Sequence, residues 1–152
     1  MPTTQEISEK INELLPISAM LNTRIDAAGQ GWYRCGVPLD ERTRNHFGTV
    51  HAAVQWCCAE LLGGLVWLAH FNERPTFFVI RSATINFLRP ARTDITVEGA
   101  LSDEDVSSLQ RRLESHGEAE FVLRSEVRNI HGEVLARAEC HYLLRNWRES
   151  KV

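Results

Sequence analysis

Asn45-His46-Phe47-Gly48-Thr49-Val50-His51-Ala52-Ala53 runs straight into a segment whose only charged residue, as far as Phe71, is Glu60. Val54, Trp56, Leu61, Leu62, Leu65, Val66, Trp67 and Leu68 fall on every side of a 3.6-residue period. Such a pattern predicts a helix buried all round rather than an amphipathic surface helix. A carboxylate placed there loses its water, and Asp or Glu is almost never fully buried without a partner or a task. Glu60 is therefore the residue to explain.

The entry to this helix carries its own chemistry. Gly48 relaxes the backbone and Thr49 is a reasonable N-cap, which leaves free N–H groups from about Val50 to Ala53. The small side chains of Ala52 and Ala53 let a ligand oxygen approach those donors, and the partial positive charge of a helix N-terminus suits an oxyanion. Residues 51 and 60 are nine positions apart, about 13.5 Å along the axis and about 180° around it. One helix cannot bring both to a single carbonyl. Two antiparallel copies can, as a two-fold dimer arranges.

Asn45, Gly48, His51 and Glu60, in the pattern N-x-x-G-x-x-H-A-A followed by the acid, resemble hotdog-fold acyl-CoA thioesterases, nearest to the phenylacetate-thioesterase-like branch with a G-T-V-H-A segment. The resemblance takes in Val37-Pro38-Leu39, Arg42-Thr43-Arg44-Asn45, Ala59-Glu60-Leu61 with Gly63-Gly64, Asn86 to Ala91, and a terminal hairpin at His131-Gly132. It implies a long central helix wrapped by a curved antiparallel sheet, with sheets joined edge to edge in a homodimer and at times paired again as a homotetramer. It also implies an active site at the subunit interface, where the helix N-terminus of one subunit faces the acid of the other. Glu60 would activate water or attack the thioester directly. Asn45 would hold the water or thioester, and His51 would shape the turn or polarise the carbonyl, with Gly48, Ala52 and Ala53 forming the oxyanion site. Many relatives read His-Gly-Gly or His-Gly-Ala where this chain has His51-Ala52-Ala53; the donors survive, but the methyl groups narrow the approach.

Composition fits one compact domain over residues 1–152, with 43% hydrophobic and 24% charged residues. A net charge of -3 gives no reason to expect nucleic-acid binding. The start of the chain lacks a basic region followed by an apolar run, so no signal peptide is evident and a cytoplasmic location is expected. A membrane span over 50–71 is disfavoured because Glu60 near its middle costs about 2.5–3.5 kcal/mol on insertion scales. Cys35, Cys57, Cys58 and Cys140 form no C-x-x-C, and they read as small hydrophobes in a reduced core. The six histidines are scattered, so neither a metal nor a cofactor is expected.

Along the chain, residues 5–15 read as an amphipathic helix stopped by Pro16, and 18–28 and 31–38 as strands joined at Gly29-Gln30-Gly31. After the central helix, 76–88 and 94–101 are strands. Ser102 with Asp105 caps a helix to about Ser115, closed by Gly117, and strands 118–129 and 133–145 flank His131-Gly132. One central helix among antiparallel strands makes an α+β domain.

Gly63-Gly64 inside a helix costs about 1 kcal/mol per glycine relative to alanine. The pair serves close packing against a sheet or leaves room for a pantetheine arm. Arg81, Arg89 and Arg92 lie around one strand and its exit, where they are candidates for coenzyme A phosphates or simply a solvated face. Trp56 and Trp67 read as core. Three functions compete: a thioesterase acting on an acyl-CoA, a hotdog hydratase or dehydratase, and a non-catalytic acyl-CoA-binding dimer. The hydratase reading lacks a suitably placed catalytic histidine.

Overall fold

The chain is described by a computed structural model over residues 2–147. It orders as α1 (Thr4–Leu14), α2 (Pro16–Met20), β1 (Arg24–Gly29), β2 (Trp32–Val37), α3 (Ala52–His70), β3 (Thr76–Phe87), β4 (Ile95–Ala100), α4 (Asp103–His116), β5 (Glu118–Asn129) and β6 (Val134–Asn146). The strands form one antiparallel sheet in the order β1-β2-β4-β5-β6-β3. Helix α3 leaves β2 near one edge, crosses the sheet and delivers the chain to β3 at the other edge; it touches all six strands. Twelve of its nineteen residues are buried, the all-round burial that its apolar pattern predicts. This is the hotdog arrangement, with the helix wrapped by the sheet.

Local signals account for most boundaries. Ser102 and Asp105 form the expected capping box, and Gly117 closes α4 at φ 76°. Gly29 pairs with Trp32 across the two-residue turn Gln30–Gly31, both at positive φ, the geometry that matches the twist of a hairpin.

Three expectations need correction. Pro16 does not simply stop a helix; it occupies the first turn of the short α2, where its missing N–H has no cost, so β1 begins only at Arg24. Thr49 is not the cap of α3. His51 takes that place, with Nδ1 accepting from the N–H of Ala53 at 2.9 Å, and the helix starts at Ala52. Trp56 is not core: it is 41% exposed, because no strand covers that side of the first turns of α3. Trp67 is half-buried against Phe78, and its indole N–H donates to Thr76 Oγ1.

Gly63 has a packing reason. A Cβ there would lie 2.3 Å from the ring of Tyr142, a side chain that is 1% exposed and stacked on Phe121. The pair Gly63-Gly64 thus divides: at Gly64 an added methyl meets Phe78 and Ile11 only at ordinary contact distance, 3.6 and 3.8 Å.

Candidate active site

The segment before α3 is built by hydrogen bonds that begin at Asn45. Its Oδ1 accepts from the N–H groups of Phe47 and Thr49, and its Nδ2 donates to Thr49 Oγ1 at 2.9 Å. Gly48, at φ 74°, closes this turn by donating to the Asn45 carbonyl. Asn45 therefore organises the loop, and one of its amide hydrogens has no acceptor among the described residues.

The turn is then stitched to its neighbours. Val50 N–H donates to Ala91 O and His51 N–H to Thr43 O, each at 2.8 Å. Thr43 is itself 0% exposed and donates through Oγ1 to Pro38 O. Because His51 Nδ1 is an acceptor, the neutral ring carries its proton on Nε2. Val54 and Gln55 both donate to His51 O. One first-turn donor remains: the N–H of Ala52, an exposed residue, meets no acceptor among the described residues. The oxyanion donors expected from Val50 to Ala53 reduce to this one.

Glu60 lies about 2.2 turns beyond Ala52, half-buried. Its carboxylate has no ion pair or hydrogen bond among the described residues, and burial raises its pKa above the ordinary value. Cys57, one turn back on the same face, is pushed up to about 11, chiefly by burial, with Cys58 and Glu60 adding. Cys140 and Tyr142 on β6 also feel the Glu60 charge, and both titrate above their ordinary values, chiefly through burial. Ala53, Trp56, Cys57 and Glu60 recur at helical spacing and form the uncovered stripe of α3. Neither thiol stood out in the sequence, although the three-residue step from Cys57 to Glu60 is legible there.

The arginines do not converge. Arg81 sits within β3, about 20 Å of strand before its end, and pairs with Glu120 at 3.1 Å. Arg89 donates to Val134 O, and Arg92 is exposed without a partner among the described residues. All four cysteines are free thiols, and no group of metal-ligating side chains occurs among the described residues.

Comparison with known proteins places the fold. A Haemophilus influenzae protein named "Putative esterase" is 33% identical over 87 residues, 56% of this chain and 62% of that protein. The match thus spans less than two thirds of the relative's length. A Pseudomonas aeruginosa protein of unknown function described as "Probable Thioesterase" superposes with a TM-score of 0.86 at 28% identity, covering 97% of this chain and 99% of that one. A Haemophilus influenzae thioesterase structure superposes at a TM-score of 0.79 and 20% identity over 100% and 96% of the two chains, a likeness of fold. Over residues 3–144 the chain matches the "Domain of unknown function (DUF4442)", and it belongs to that family, with the hotdog fold of thioesterase-like proteins.

Proposed function

We propose that this protein hydrolyses an acyl-CoA or related acyl thioester. The observation that carries the reading is Glu60: a half-buried carboxylate of raised pKa, without cation or hydrogen-bond donor among the described residues, on the uncovered stripe of a core helix. A structural carboxylate in that position would be paired.

In this mechanism Glu60 accepts a proton from water, whose oxygen attacks the thioester carbonyl. The negative charge moves to the carbonyl oxygen, which Ala52 N–H of the partner subunit stabilises. Collapse breaks the C–S bond, and the thiolate leaves as thiol with the proton Glu60 took. The alternative, attack by the carboxylate itself, passes through an anhydride that water then opens. About 12 Å of helix rise keeps Ala52 and Glu60 of one chain apart, so the reading includes a two-fold dimer, and a location in the cytoplasm fits the coenzyme A pool.

Thiol release from a panel of aromatic and aliphatic acyl-CoA substrates, for the wild type and Glu60→Gln, tests the reading. Turnover by the wild type and a drop of about 10² or more in the variant is the expected result. Tight acyl-CoA binding with no thiol release across the panel identifies a non-catalytic binding protein instead.

A further inference from the structure

Gln55 is a polar residue on α3 besides Glu60 and His70. It is 4% exposed; its Nε2 donates to Val50 O at 3.1 Å, and its Oε1 has no partner among the described residues. A buried amide oxygen left unpaired is unfavourable, so the side chain is poorly suited to a role in packing alone. What it gains is the Val50 carbonyl. That carbonyl belongs to the peptide whose N–H, on His51, is held by Thr43 O, and the preceding N–H, on Val50, is held by Ala91 O.

We infer that Gln55 is a positioning residue for the proposed thioester hydrolysis: by holding Val50 O, it fixes the His51 peptide and so aims the free Ala52 N–H at the oxyanion. The inference rests on the function proposed above. Gln55 Nε2 and Thr43 O pin the two sides of the Val50–His51 peptide, Ala91 O holds the N–H of the peptide before it, and His51 Nδ1 occupies the Ala53 donor. The one donor left free is thus rigidly oriented, as electrostatic stabilisation of a transition state requires. Gln55 itself touches no reacting atom in this scheme.

Gln55→Met keeps the volume and removes the amide. The expected outcome is a fall in kcat of about tenfold with KM nearly unchanged, because the donor it aims acts in the transition state. Amide hydrogen exchange is the second readout and does not depend on catalysis. Protection of the Val54 and Gln55 amides, both bonded to His51 O, should drop by about an order of magnitude while the rest of α3 is unchanged. Should Gln55→Met not fold, Gln55→Glu serves. Its protonated acid still donates to Val50 O and its carboxylate repels it, so first-turn protection, corrected for intrinsic exchange, should be lost as pH rises. Wild-type exchange at Val54 and position 55 in these variants overturns the positioning role, whatever the activity. Wild-type kcat in Gln55→Met, with Glu60→Gln inactive, also overturns it and leaves the thioesterase reading standing. An inactive wild type whose first turn loosens in Gln55→Met would instead sink the catalytic reading and, with it, the role as an aid to catalysis.

Discussion

The hydroxyl of Tyr142 donates to the main-chain carbonyl of Glu60 at 2.7 Å, while the Glu60 side chain meets no partner among the described residues. The backbone of the candidate catalytic residue is thus anchored to β6, and its carboxylate is left available. Tyr142 also fills the space above Gly63, so one buried ring sets both the height of α3 over the sheet and the place of Glu60 along it.

The two adjacent glycines should respond oppositely to alanine. Gly63→Ala drives a methyl into the Tyr142 ring, which is held by Phe121 and cannot swing away; overpacking of this kind costs about 1–3 kcal/mol. Gly64→Ala adds ordinary contacts with Phe78 and Ile11 and gains about 1 kcal/mol of helix propensity. Chemical denaturation of the two variants measures the contrast, and equal effects of the same sign would contradict this packing.

Glu60→Gln separates chemistry from stability through pH. The folded pKa of Glu60 lies above its ordinary 4.5, so the folded state holds this proton more tightly than the unfolded chain. Its contribution to stability is fully present below about 4.5 and is lost as pH rises through the folded pKa. The variant should therefore match the wild type in acid and be the more stable of the two at neutral pH. Wild-type kcat/KM should show an acid limb above pH 4.5 as the carboxylate ionises, and the variant should lose it. Thermal unfolding and initial rates over one pH series check both statements.

Ala52→Pro tests the free donor directly. Proline is tolerated at the first helical position, and His51, at φ -60° and ψ 142°, already has the extended backbone that a following proline demands. Only the N–H is deleted. Turnover should fall by about 10²–10³ with little change in melting temperature. Undiminished hydrolysis by a well-folded variant would remove the oxyanion role from this turn.

At the far end of α3, His70 Nε2 meets the hydroxyl of the buried Tyr33 at 2.7 Å. Burial lowers the His70 pKa below 6.5, with Asp103 partly opposing, so folding disfavours its protonation. The stabilising contribution is present above 6.5 and lost as pH falls through the lower folded value. The melting temperature of the wild type should therefore decline below that pH more steeply than that of His70→Gln. Parallel pH profiles for the two proteins would contradict this.

The α+β class and the central helix were legible because their signals are local: apolar residues on every side of the helical period over 54–68, the Ser102–Asp105 box, Gly117, and the hairpin at Gln30–Gly31. The candidate site was legible in part. Glu60 stood out because a charge on an apolar helix is conspicuous whatever surrounds it, and Asn45, Gly48 and His51 stood out by their pattern. Gln55 did not, since a glutamine in a sequence does not announce its burial.

Tertiary contacts decided the rest. His51 displaced Thr49 as the cap because pairing of Val50 with Ala91 and of His51 with Thr43 holds the chain extended two residues beyond the point that local preference marks. Trp56 remained exposed because its own sheet leaves the first turns of α3 uncovered on that side, a property of strand placement rather than of residue type. The arginines separated because an extended strand spaces residues by about 3.3 Å each, so nearness in sequence is not nearness in space. Sequence by itself determined which segments form the helix and strands and that Glu60 would be left without a charged neighbour on its helix. Only the folded sheet determined which donor stays free and which stripe stays open, because both depend on hydrogen bonds and coverage contributed by residues distant along the chain.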